Sequence, residues 1–131
     1  MSTDPNMKII IVDDMQTMLK IQKAMLTKLG YKNIEMANDG AEAWPKIQEA
    51  HDRGEPFDFI VSDWNMPEMS GLDLLKNCRA DDRFKTTPFL MVTAEAEQAN
   101  VVEAVKAGVS NYVVKPFTQD VLHEKISKIF G

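Results

Sequence analysis

The sequence predicts a doubly wound α/β fold: a parallel sheet with helices packed on both faces. Three observations carry that prediction. Short apolar runs alternate with helical stripes five times along the 131 residues. The runs are four to six residues long and rich in β-branched side chains, as strands buried on both faces require. A helical stripe separates each run from the next, a repeating strand–helix order that predicts a parallel sheet. A chain of this length suits one domain with a substantial core, so residues 1–131 are read as a single unit.

The elements follow in order. "KIIIV" (8–12) is the first strand. Met18, Ile21, Met25 and Leu29 recur at helical spacing, and Gly30 suits the stop. "IEMA" (34–37) is a short strand, and Asp39 can cap a helix over 40–51. Trp44 falls on its apolar side, while Pro45 inside it predicts a kink or a loosened first turn. "HDRGEP" is a loop before the third strand, "FDFIVS" (57–62), and belongs to the amino end of the sheet. A helix over 71–79 leads to "PFLMVT" (88–93). A fourth helix spans about 98–107 and stops at Gly108, before "NYVV" (111–114). Thr118 can cap the last helix, with the stripe Val121, Leu122, Ile126, Ile129 and Phe130.

Composition narrows the function classes. Acids outnumber bases 20 to 15, for a net charge of -5, which argues against nucleic acid or an anionic membrane as partner. The lone Cys78 cannot form an internal disulfide and reads as a small buried hydrophobe. No apolar run is long enough to span a bilayer, and "MSTDPNM" has neither the basic start nor the apolar core of a signal peptide. A cytoplasmic monomer is expected. The nine methionines read as core filler, and His51 and His123, without partners at ligand spacing, as surface residues.

In open parallel sheets, ligands sit beyond the carboxyl ends of the strands. The residues at those ends are therefore the candidate site. Asp13 and Asp14 follow the first strand, Asp63 follows the third, Thr93 ends the fourth, and Lys115 follows the fifth. Three carboxylates and one amine leave an excess of negative charge that a hard divalent cation would relieve, and Mg²⁺ prefers such oxygen ligands. Together these residues point to metal-assisted handling of a phosphoryl group. A carboxylate can serve as nucleophile, Lys115 can neutralise developing charge, and Thr93 can donate to a phosphoryl oxygen. A haloacid-dehalogenase-type phosphatase would need a second acid two residues after the nucleophile, where Asn65 stands. A flavin carrier would need a hydroxyl- and glycine-rich loop after the first strand, where "DDMQTM" stands instead.

The stretches "IIIVDD", "SDWNMPEMSGLDLLK", "LMVTAEA", "KAGVSNYVVKPFT" and "EKISKIF" cover nearly the whole chain. In them the chain resembles the receiver domains of two-component response regulators, most closely the single-domain chemotaxis type. The resemblance implies the flavodoxin-like strand order 2-1-3-4-5, which is an established property of that family. It implies that Asp63 is the phosphorylated aspartate and that the donor is a histidine kinase. Mg²⁺ would be bound directly by Asp14, Asp63 and the backbone carbonyl of Asn65, and by Asp13 through water. Thr93 and Tyr112 match the two switch residues, and Lys115 the lysine paired with the phosphate. Asn65 and Glu95 match positions that tune phosphate lifetime, on which a dedicated phosphatase can also act. A cis peptide is expected at Lys115–Pro116. Trp64, beside the nucleophile, is expected to shield it and report on it by fluorescence. The partner face would be formed by Glu97, Gln98, Val101, Val105, Tyr112 and Lys125. The family's flagellar motor-switch peptide is acidic, and Glu97 and Gln98 stand where lysines usually attract it. Phosphorylation is thus implied more firmly than motor binding.

Overall fold

A computed structural model describes residues 4–66, 68–94 and 98–130, with no side-chain description over 98–100. In chain order the elements are β1 (Lys8–Val12), α1 (Gln16–Lys28), β2 (Asn33–Ala37), α2 (Gly40–Asp52), β3 (Phe59–Asp63), α3 (Gly71–Ala80), β4 (Phe89–Ala94), α4 (Gln98–Lys106), β5 (Asn111–Lys115) and α5 (Gln119–Phe130). The five strands are parallel in the order β2-β1-β3-β4-β5. Every expected element is present, with ends moved by a residue or two.

Strand alternation divides the core. Ile10 and Val12 of β1 face α2 and α3, in a cluster with Ala43, Ile47, Leu74 and Leu75. Ile9 and Ile11 face the other way, toward Leu19 and Leu26 of α1 and Leu122 and Ile126 of α5. Central strands covered on both faces must be apolar at every position, which is why the runs do not alternate with polar residues. Cys78 is buried against the first cluster, and burial pushes its thiol up to about 12, so it is an inert packing residue.

The stripes hold in part: Met25, Leu29, Leu122, Ile126, Ile129 and Phe130 join or pack against the core, but Ile21 and Val121 do not. Ile21 is 42% exposed and Val121 39%; the buried positions of α1 are Leu19, Gln22 and Leu26. Two apolar rows run side by side on α1, and periodicity reveals the period but not which row the sheet covers. Met15 is also exposed, unlike the core filler expected of methionines. His51 and Trp44 are both half-buried, their rings set edge-on to Phe84 with centroids 5.6 and 5.7 Å away. Helix α2 continues through Pro45 without a break. Pro45 is exposed and lies near the helix start, as does the exposed Ala41, whose carbonyl loses the bond that an N–H at position 45 would make.

Gln22 is only 2% exposed, and neither amide atom has a hydrogen-bond partner among the described residues. Burying such a group without a bond costs about 1–3 kcal/mol. Gln22→Met keeps the length and shape of the side chain, so it is expected to raise the urea unfolding midpoint, by an amount equal to about 1–2 kcal/mol. A lower midpoint would show that the amide is satisfied in solution.

The loop over residues 53–58 lies at the amino end of the sheet, as expected. Asp58 exchanges two bonds with Lys8 at the start of β1, both 2.8 Å. No helix is long and apolar enough to cross a membrane among the described residues.

Candidate functional site

Register brings the strand ends together. Val12 pairs with Ser62, Asp63 with Val92, and Ala94 with Lys115. The ladder continues one step further: Asp13 N donates to Ala37 O at 3.1 Å and Trp64 N to Val92 O at 2.9 Å. Asp13 therefore keeps the strand's alternation and its side chain is fully buried, whereas Asp14 is exposed. Asp13 Oδ1 accepts from Met15 N at 2.9 Å, which turns the chain into α1.

Asp63 is buried at the end of β3, with Lys115 Nζ 3.0 Å from its Oδ1. Carboxylate oxygens of Asp13, Asp14 and Asp63 lie within 4.8 Å of one another. Burial pushes Asp13 up to about 6, reinforced by Asp63 and Asp14 and opposed by the Met15 N–H and Lys115. Burial also raises Asp63, while the bond from Lys115 lowers it. A raised carboxyl means the folded chain disfavours its own charges there.

That cluster fits a divalent cation. Asp13 Oδ2 is buried without a partner among the described residues, and three carboxylates face one ammonium. Oxygen donors of this kind suit Mg²⁺ better than a softer metal. Asn65 opens the loop after β3, two residues beyond Asp63.

Thr93 is 2% exposed and follows Val92, the register partner of Asp63. Among the described residues its hydroxyl makes a single long bond, donating to Ala94 O at 3.4 Å. Tyr112 is half-buried on β5, with Lys125 Nζ 5.2 Å from its ring centroid. These two line a groove with Pro116, Phe117 and Val121. Val101 is half-buried and Val105 is exposed. Glu95 and Glu97 lie outside the described residues, as does the side chain of Gln98, although Gln98 opens α4. The Lys115–Pro116 bond is cis, as expected. Trp64 joins the α2–α3 core cluster as well as standing beside Asp63.

Sequence reasoning missed what holds the loop after β3. Gly71 N donates to Trp64 O at 2.9 Å. A Cβ on Gly71 would lie 2.2 Å from Asp63 O, so only glycine lets α3 start this close to Asp63. Glu68, in the same loop, holds a left-handed backbone at φ 67°. A glycine in the motif hints at a close approach, but its neighbour is known only from the fold.

Comparison with known proteins agrees with this geometry. The family model described as "Response regulator receiver domain" matches residues 9–127. The chain is 52% identical over 125 residues to the chemotaxis protein CheY-3 of Vibrio cholerae, covering 95% of this chain and 92% of that protein. It is 54% identical over 124 residues to the chemotaxis protein CheY of Pseudomonas aeruginosa, covering 95% and 96%. The solved structure of chemotaxis response regulator CheY4 of Vibrio cholerae superposes with a TM-score of 0.83 at 34% identity, covering 95% of this chain and 98% of that one.

Proposed function

We propose, from the premise that this chain belongs to the response regulator receiver domain family, that Asp63 accepts a phosphoryl group from a chemotaxis-type histidine kinase. The chain is a CheY-type receiver, a signalling switch rather than a classical enzyme. The observation that carries the reading is the pairing of buried Asp63 with Lys115 at 3.0 Å, beside Asp13 and Asp14.

An oxygen of the Asp63 carboxylate forms the new bond to phosphorus as the donor's nitrogen–phosphorus bond breaks. Lys115 stays at hand to balance the charge gathering on the phosphoryl oxygens. Asp14, Asp63 and the Asn65 carbonyl would hold a Mg²⁺, with Asp13 acting through water, and the ion would supply further positive charge there. Thr93, weakly held by Ala94 O, turns its hydroxyl to the new acceptor oxygens. The space it leaves admits the Tyr112 ring, which changes the face of α4, β5 and α5. The site acts within a single cytoplasmic receiver unit, with Asn65 and Glu95 setting how long the phosphate lasts.

The test is uptake of one phosphoryl group from acetyl phosphate with Mg²⁺, read by intact mass. Asp14→Ala should leave the chain unlabelled and remove the Mg²⁺-dependent quenching of Trp64 fluorescence. An unchanged metal titration in that variant would move the cation elsewhere.

The output partner is read from charge. An acidic motor-switch peptide meets Glu97 and Gln98 where lysines would attract it, a loss of about 1–2 kcal/mol. Phosphorylated protein is expected to bind such a peptide weakly. Glu97→Lys with Gln98→Lys should strengthen binding about ten-fold at low salt and less at high salt, without changing uptake on Asp63. Tight binding by the unaltered chain, with no gain in the double variant, would make the apolar groove the deciding feature.

A further inference from the structure

The β2–α2 loop carries none of the clustered carboxylates, yet it is bonded both to the start of α1, just after Asp13 and Asp14, and to the loop that follows Asp63. Asn38 Oδ1 accepts from Gln16 Nε2, at the start of α1. Asn38 N donates to Glu42 Oε1 at 3.1 Å, and Asn38 Nδ2 to Glu42 Oε2 at 3.3 Å. Glu42 N donates in turn to Asp39 Oδ1 at 2.8 Å, so the chain of bonds ends in the cap of α2. Two residues after Asn38, Gly40 N donates to Met69 O at 3.2 Å, in the loop after β3. A Cβ on Gly40 would lie 2.6 Å from that oxygen, so this approach also needs glycine.

The β1–α1 loop needs such a brace. Asp14 is exposed, so packing does not hold its side chain, and Met15 at the start of α1 offers no side-chain cap. Gln16 is two residues from Asp14, and its bond to Asn38 ties the loop to the capped start of α2.

We propose that Asn38 is a positioning residue for the divalent-cation site: by holding Gln16 against α2, it keeps Asp14 beside Asp63. The proposal rests on the Mg²⁺ reading above and extends it to a residue outside the acidic cluster. Losing the brace should weaken Mg²⁺ affinity about ten-fold, the low end for removing an outer-shell partner.

The experiment is a Mg²⁺ titration by fluorescence in a Trp44→Phe background, which leaves Trp64 as the only tryptophan. Asn38→Ala and Gln16→Ala are each expected to weaken binding about ten-fold, and the double variant no further, because both remove one bond. Asn38→Ala retains the backbone bond to Glu42, so melting in EDTA should shift by no more than about 2 °C. Phosphoryl uptake from acetyl phosphate should be slow at limiting Mg²⁺ and recover the parental rate at saturating Mg²⁺. A purely structural role would move melting and leave affinity alone. Parental affinity in Asn38→Ala, alongside lost binding in Asp14→Ala, overturns the brace while keeping the site. Additive losses in the double variant overturn it too. If Asp14→Ala itself titrates like the parent, the cation reading falls and takes the brace with it.

Discussion

Asp63→Asn is expected to abolish phosphoryl uptake completely, while the chain stays folded. Asparagine keeps the shape of the side chain and an acceptor oxygen for Lys115, now 3.0 Å from Oδ1. It removes the charge that makes the oxygen a nucleophile, and an amide does not form the acyl phosphate. Asp63 is raised by burial, so removing its charge should not destabilise the metal-free protein. The two effects separate the chemistry from the fold. Intact mass after incubation with acetyl phosphate and Mg²⁺ should show one added phosphoryl group in the parent and none in the variant. Full labelling of the variant would place the acceptor on another residue, Asp13 or Asp14 being the nearest carboxylates.

The second large effect is on stability in the absence of metal. Asp13 is fully buried and titrates at about 6, against 3.8 for an ordinary aspartate. Between those values the folded chain binds a proton that the unfolded chain has released, so stability falls as pH rises through that window. The penalty is absent below about pH 4 and complete above about pH 6, and a window of that width corresponds to about 2–3 kcal/mol. Asp63, raised in the same direction, adds to it. In EDTA the urea midpoint should therefore rise as pH is lowered from 7 to 5. Asp13→Asn should make the protein more stable at pH 7 and remove most of that dependence. Below pH 4 the trend reverses, since Arg83 holds Asp81 down at about 2 and that stabilisation is lost as Asp81 protonates.

Mg²⁺ should also stabilise the folded chain, in competition with the proton. At about 100 times its dissociation constant it should stabilise the parent by about 2.7 kcal/mol at pH 7, and less at pH 5 where Asp13 competes for a proton. A midpoint in EDTA that is flat between pH 5 and 7 would mean that water relieves the buried carboxyl.

The acidic pair that ends the first apolar run shows where reading the sequence succeeds. A strand that runs into two acids is anomalous for stability alone, and placing both at a carboxyl edge makes them functional candidates. The five strands, their helices and the residues at each strand end were legible because burial on both faces demands unbroken apolar runs, and loops must follow them. Asp13, Asp14, Asp63 and Lys115 do converge in the structure. The strand order came from the family resemblance, since local patterns say nothing about which strands are neighbours.

Other features became visible only with the chain folded. Helix α1 was assigned from Met18, Ile21, Met25 and Leu29, yet it buries Leu19, Gln22 and Leu26. The rotation of a helix about its axis is chosen by the surface it meets, and Gln22 carries no sign of burial in its own chemistry. Asp13 and Asp14 are adjacent and identical in kind, yet the fold buries the first and leaves the second, where the chain bends away from the strand, in water. The brace from Gln16 through Asn38 to Glu42 joins positions 22 residues apart with a 4-residue step. By itself, then, the sequence determined the class of fold, the strand ends and the chemical kind of the site, because these follow from local periodicity and residue type. Tertiary structure alone decided which acid is buried, which helix face is covered and which loops brace the site, because each depends on a neighbour distant in the chain.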